Sequence, residues 1–294
     1  MAYVPPPSEQ GPGHTARLLM SCPDGPGIVA AISGFLFGRG ANILASHQFS
    51  THPERGAFYM RTVFFLPELE REHEEFEAAF GALAQRFSMS WRISYPKQRR
   101  RVALMASRAD HCLMDLLWRN RRGELEMDIA CVISNHELLR EEVEALGVSY
   151  VHIPVTRESK AQAEARALEL LAGEVDLVIL ARYMQILSAD VLAQLGCPVV
   201  NIHHSFLPAF AGAEPYRHAY ERGVKLIGAT AHFVTEELDE GPIIEQDVQR
   251  VGHAYTVEDL ERVGRDLERM VLARAVYNVL EDRVLVHEGR TIVF

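Results

Sequence analysis

The chain has 294 residues, a length that suits two ordinary domains better than one. With 48% hydrophobic and 24% charged residues it can bury a substantial core, yet no apolar run reaches the ~20 residues a membrane helix needs. A formal net charge of -10 argues against a general phosphate-backbone binder, so neither nucleic acid nor membrane is an expected partner.

The first segment, Met1 to Pro12, is polar and proline-rich without an apolar h-region, and reads as a short disordered leader rather than a secretory signal. Residues 14–95 then form a self-contained pattern. An apolar run over 16–22 leads into the turn Pro23-Asp24-Gly25-Pro26-Gly27. Ile28, Ala31, Ile32, Phe35 and Leu36 recur at helical spacing, and Gly38 and Gly40 close that helix. Strands are expected over 42–49 and 57–66, joined by a hairpin-like loop from His52 to Gly56. A charged amphipathic helix over 68–87 and a strand over 89–95 complete a ferredoxin-like βαββαβ order.

The basic cluster Lys97-Gln98-Arg99-Arg100-Arg101 reads as a solvated linker over 96–101, and a second domain fills 102–294. There, short apolar runs at 102–106, 127–133, 150–154, 177–180 and 199–202 alternate with helical patterns. That alternation predicts a mostly parallel, Rossmann-like α/β sheet covered by helices on both faces. Two strand-like runs within 226–248, joined through Thr235–Gly241, break the rhythm. A long helix over 257–280 places Leu260, Val263, Leu267, Val271, Ala275 and Val279 on one face, and a small hairpin over 283–294 turns at Glu288-Gly289. Cys22, Cys112, Cys131 and Cys197 are scattered, without C-x-x-C or metal-ligand spacing. A reducing cytoplasm is the expected compartment.

Chemistry concentrates in the second domain. Asn201-Ile202-His203-His204-Ser205-Phe206-Leu207-Pro208 follows a predicted strand at its carboxyl end, where open α/β sheets place ligand crevices. Asn201 and His203 lie two apart and so project to one side of a strand, and a carboxylate recurs at Asp239. Attack on a carbonyl carbon needs an oxyanion donor, a proton carrier that titrates near neutrality, and a carboxylate to orient it. Those three residues supply the set. By contrast, Gly25-Pro26-Gly27-Ile28-Val29-Ala30 fits G-x-G-x-x-A only in letter. The unit is too short for a Rossmann half, and the next strand offers no acidic residue to a ribose.

Two resemblances extend these readings. Ser21–Val29, followed by Gly40-Ala41-Asn42-Ile43, resembles an ACT domain, over about Thr15 to Tyr95. That implies an amino-acid effector, glycine or methionine, near Asp24, Gly25, Gly27, Ile28 and Asn42, often where two copies pair; a homo-oligomer follows. The alternative is that Asp24 merely caps the helix and the domain only dimerises. Asn201–Pro208, Ala231–Phe233 with Leu238-Asp239-Glu240-Gly241, and Leu180–Ser188 resemble the signature segments of the folate-dependent formyltransferase fold, across most of 102–277. That resemblance implies catalytic roles for Asn201, His203 and Asp239, and a pterin pocket lined by Arg182, Tyr183, Met184, Ile186 and Leu187. It also implies that Ser134, Asn135 and His136 form a loop near the active site, with His204 and Gly212 as further substrate-side residues.

Which acceptor takes the formyl group is read from the surroundings. The segment Ser107-Arg108-Ala109-Asp110-His111-Cys112-Leu113 has no glycine with which to cradle a phosphate, and Asp110 would repel one. A basic nucleic-acid-binding extension is not evident either. Water remains, and the fusion of an ACT-like domain to this core resembles the formyltetrahydrofolate deformylase family over essentially the whole chain. The resemblance implies hydrolysis of 10-formyltetrahydrofolate to formate and tetrahydrofolate, feeding formate to purine biosynthesis, with folate as substrate and no cofactor or metal. Transfer to an amino sugar or nucleotide, or a non-catalytic amino-acid sensor on the same fold, are the alternatives. Glu214 departs from the family, where that spot is usually basic or polar.

Overall fold

The computed structural model describes residues 14–52, 54–67, 69–95, 99–208 and 215–294. The expected leader, the first half of the expected linker (96–98), Gly212 and Glu214 lie outside the described residues. Contacts group the chain into two compact units. The first runs to Gln98 and includes Asp282–Leu285 and Ile292–Phe294; the second holds Arg99–Glu281 and Val286–Thr291. The sequence reading had instead run the second domain unbroken to 294.

The first unit contains β1 (Thr15–Pro23), α1 (Ile28–Gly38), β2 (Asn42–Ser50), β3 (Ala57–Phe65), α2 (Leu69–Arg86) and β4 (Ser90–Ser94). The strands form an antiparallel sheet in the order β2-β3-β1-β4. Alternate residues Ala16, Leu18, Met20 and Cys22 of β1 join Ile28, Ile32 and Leu36, one face of α1, and Phe76 and Phe80 of α2 in one core. Gly27 caps α1 with φ 89°, a conformation that glycine reaches without steric cost. Arg17 and Leu19, between those core positions, are buried too. Asp282 lies 3.0 Å from Arg92 Nη2 and 3.7 Å from Arg17 Nη1, while its carbonyl accepts from Arg61 Nε at 3.1 Å. Asp282 and Arg61 are almost fully buried, and this ionic cluster is what places the chain's end with the first unit.

The second unit begins with β5 (Arg100–Ala106), α3 (His111–Arg121), β6 (Met127–Ser134), α4 (Arg140–Glu144), β7 (Tyr150–His152) and α5 (Lys160–Leu171). It continues through β8 (Leu177–Leu180), α6 (Ala189–Leu195), β9 (Val199–His203), α7 (Pro215–Arg222), β10 (Leu226–Phe233), β11 (Ile243–Arg250) and α8 (Val257–Leu280). Arg100 and Arg101, expected in a linker, are the start of β5. The backbone N–H of Arg101 donates to Asp176, and its guanidinium pairs with Glu174. The sheet order is β11-β10-β9-β8-β5-β6-β7, parallel from β9 to β7 and antiparallel across β9, β10 and β11. The chain reverses its direction of travel across the sheet between β5 and β8, so their carboxyl ends flank a topological switch point. Helix α8 starts at a reciprocal cap between Thr256 and Asp259. β12 (Val284–His287) and β13 (Arg290–Val293) turn at Glu288 and Gly289, both with positive φ as a two-residue hairpin requires. Among the described residues no helix is long and apolar enough to cross a membrane.

Candidate active site

A cavity of about 800 Å³ opens at the carboxyl ends of β8 and β9. Asn201 and His203 reach it from alternate positions of β9, and Asp239 enters from the loop between β10 and β11. Gly241 makes that loop possible. A side chain there would lie 1.7 Å from the Phe233 carbonyl oxygen, so only glycine lets the loop fold back on β10. Asp239 then sits at φ 59°, with Oδ1 3.3 Å from His203 Nδ1. The His203 contact holds the Asp239 carboxyl below its usual range, against the opposing effect of burial. His203 is itself buried, and its Nε2 has no hydrogen-bond partner among the described residues.

Asn201 is held from behind. Its Nδ2 lies 3.2 Å from His232 Nε2, and His232 Nδ1 lies 2.9 Å from the Phe233 carbonyl. The carbonyl fixes the proton on Nδ1, so Nε2 accepts from the amide and the second amide N–H is left over. Burial lowers the His232 pKa, which keeps the ring neutral for this role. The loop after β9 is pinned by Thr230 of β10. The Thr230 hydroxyl donates to the Ser205 carbonyl at 2.8 Å and accepts from the Leu207 N–H at 3.0 Å, while Gln246 Nε2 donates to both Thr230 Oγ1 and the Leu207 carbonyl.

One side of the cavity is apolar. Leu180 to Leu187 line it continuously save for Ala181, and Met184 and Ile186 stay 58% exposed at its mouth, a platform suited to a flat heterocycle. The other side is charged. His111, Arg182, Tyr216 and Glu268 line it, with His204 between them and His203. Burial pushes His204 down to about 4, and the Arg182 guanidinium adds to the effect.

The structure thus gathers Asn201, His203, His204, Asp239, Arg182, Tyr183, Met184, Ile186 and Leu187 around one space. It does not bring Ser134, Asn135 or His136 into the lining. Asn135 is buried against the Ser107 hydroxyl at 2.7 Å, and Ser107 Oγ accepts from the Met184 N–H at 3.0 Å, so this loop buttresses the pocket from behind. Nor do Asp24 and Asn42 meet within one chain. Asp24 accepts a hydrogen bond from Ser50 at the far end of β2, whereas Asn42 begins that strand. Nine extended residues separate the two ends by roughly 26 Å. Asp24 does not cap α1 either, because Gly27 holds that position without a side-chain bond. His232, Tyr216 and Glu268 escaped the sequence reading. Only the position of His232 beside Phe233 in a signature segment could have flagged it.

Two family descriptions match the chain, Formyl transferase over residues 100–276 and ACT domain over residues 16–79. A formyltetrahydrofolate deformylase of Mycobacterium bovis is 58% identical over 95% of this chain and 90% of its own length. One from Bacillus subtilis is 51% identical over 95% and 93%. The chain belongs to the formyltetrahydrofolate deformylase family. A crystal structure of a formyltetrahydrofolate deformylase from Pseudomonas syringae pv. tomato superposes with a TM-score of 0.90 at 50% identity, covering 95% of this chain and 94% of that one. The whole-chain match includes the ACT domain in front, which leaves the amino-sugar or nucleotide transferase and the non-catalytic sensor without support.

Proposed function

We propose that this chain hydrolyses 10-formyltetrahydrofolate at the Asn201–His203–Asp239 centre, releasing formate and tetrahydrofolate. The observation that carries the mechanism is the unpartnered, buried Nε2 of His203 facing a cavity while Nδ1 is tied to Asp239. Asp239 keeps the proton on Nδ1, which leaves the Nε2 lone pair to take a proton from water as its oxygen bonds to the formyl carbon. The oxyanion that forms accepts from the free amide N–H of Asn201. Its collapse breaks the carbon–N10 bond, and His203 returns the proton to N10. The exposed Met184 and Ile186 side chains give the pterin an apolar face, with Arg182, Tyr183 and Leu187 around it. Folate serves as substrate, and the donor set needs neither cofactor nor metal.

The first unit acts, in the same proposal, as an amino-acid-responsive pairing module, with glycine or methionine as effector around Asp24, Gly25, Gly27 and Ile28. Strand β2 lies at the sheet edge with Ile43, Leu44 and Phe49 exposed, a surface that pairing of two copies would cover. Antiparallel pairing along β2 would carry the Asn42 end of one copy to the Asp24 end of the other. The enzyme works in the cytoplasm, where the formate it releases can enter purine biosynthesis. The deciding experiment measures formate released from 10-formyltetrahydrofolate with no acceptor added. Stoichiometric release with tetrahydrofolate is expected, and release only on adding an amine acceptor would overturn hydrolysis.

A further inference from the structure

The apolar platform of the cavity is tied down at both ends. It leaves β8 at Ala181, whose N–H donates to the Met105 carbonyl at 2.8 Å and extends the β5–β8 ladder by one rung. Arg182 then takes φ 64°, a left-handed conformation that a residue with a side chain keeps only when its surroundings enforce it. Beyond that turn Met184 and Ile186 are exposed at the cavity, while Tyr183 and Leu187 pack against the core shared with α5 and α6.

The ties come from distant elements. At the start of the loop, Ser107 Oγ accepts from the Met184 N–H at 3.0 Å. Ser107 gives its own proton to Asn135 Oδ1 at 2.7 Å, which turns a lone pair toward Met184. Ser107 and Asn135 are the first residues beyond the paired strands β5 and β6, and both are buried. At the far end, one carboxylate oxygen of Glu164 on α5 accepts from the Ser188 N–H at 3.0 Å, and the other accepts from the Ser188 hydroxyl at 2.9 Å. That hydroxyl also caps α6 by accepting from the Val191 N–H. A carboxylate on two donors at once is a stronger and more directional tie than a neutral acceptor. Its charge is felt within the loop as well, since burial, and then Glu164, push the Tyr183 phenol up to about 12. Ser107, Asn135, Glu164 and Ser188 line no part of the cavity, so whatever they contribute to the site passes through the loop.

We propose that Glu164 and Ser107 are positioning residues for the folate: they clamp the Arg182–Ser188 loop at its two ends and hold Met184 and Ile186 in place before the pterin arrives. The inference rests on the reading above that this loop carries the pterin. A surface ordered in advance saves the conformational entropy that a slack one loses on binding. The pterin ring is not the reacting group, so its contacts are equal in ground and transition states and govern KM rather than kcat.

The test measures KM and kcat in the acceptor-free formate assay, and the Kd of tetrahydrofolate by equilibrium titration. It compares wild type with Glu164→Ala, Glu164→Gln, Ser107→Ala and Ile186→Asp. Ile186→Asp checks the platform reading separately. It should weaken tetrahydrofolate about 10-fold or more by placing a charge against the ring, and unchanged affinity would overturn the platform and the clamp together. Glu164→Ala and Ser107→Ala are each expected to raise KM and Kd about 10-fold, with kcat within about threefold of wild type. Glu164→Gln, which can still accept from the Ser188 N–H, should recover most of the Glu164→Ala loss. A merely structural role would instead lower the folded fraction, and with it kcat, at unchanged KM. That pattern overturns the proposal, as does a KM for Glu164→Ala or Ser107→Ala within about twofold of wild type when Ile186→Asp has lost affinity. If Ser107→Ala does not fold, the two Glu164 variants decide on the same criteria.

Discussion

His203 and Asn201 are held by different neighbours for different work. Asp239 fixes one nitrogen of the imidazole and leaves Nε2, and His232 fixes one hydrogen of the amide and leaves its second N–H and its carbonyl oxygen. Removal of an oxyanion donor typically costs ~10²–10³ in turnover. Asn201→Ala and His203→Ala should each lose kcat on that scale while binding tetrahydrofolate nearly as wild type does, as equilibrium titration can check. A matching loss of folate affinity would mean that these residues bind rather than react.

His204 carries a pH signature of its own. Burial, and then Arg182, push it from 6.5 in the unfolded chain down to about 4. Between those values the unfolded chain holds a proton that the folded one refuses. Stability therefore falls as pH drops from 6.5 toward 4, and this contribution is absent above 6.5. The gap corresponds to roughly 3 kcal/mol. Urea unfolding of His204→Gln across that range should show a shallower decline by that order. An unchanged pH slope would place the coupled proton elsewhere, with buried His232 the next candidate.

Helices and strands position these groups through a few non-replaceable contacts. The loop between β10 and β11 returns Asp239 to His203 only because Gly241 lies against the Phe233 carbonyl. Gly241→Ala must push that backbone apart, and a displacement near 1 Å in such a site can cost ~10²-fold in rate. The expected outcome is a kcat lowered toward that of Asp239→Ala, with the folate KM little changed; full activity would show that the loop can reach Asp239 by another route. Elements were legible in the sequence where their signal is local. The periodic apolar face of α8 and the Glu288-Gly289 turn both appear within a few residues of where they act. Glu268 gave no such signal. It is one of several acidic residues on a long helix, and its pattern is that of a solvated charge.

At the scale of the whole molecule, the ACT-like unit raises a question of regulation. An effector alters activity only if it binds active and inactive states with different affinity. Titration of glycine and methionine against formate release should change the rate in wild type, and Asp24→Ala should abolish the response while retaining basal turnover. A flat response in wild type would leave the unit a pairing device alone.

The sequence by itself determined the kind and order of elements in both domains and named Asn201, His203 and Asp239, because periodicity, turn chemistry and strand-end motifs are short-range properties. It also drew attention to the Ser107–Leu113 segment as the place where the acceptor is decided. The tertiary structure changed what that segment means. Asp110, the carboxylate expected to repel a phosphate, is exposed and lines no part of the cavity, whereas neighbouring His111 reaches in to Glu268 from another helix. The structure likewise set Asp24 and Asn42 at opposite ends of β2, and gave Asp282 to the first unit. In each case the deciding fact is the partner of a polar or charged group. Burial makes that partner obligatory, and only the folded chain brings it from far away in the sequence.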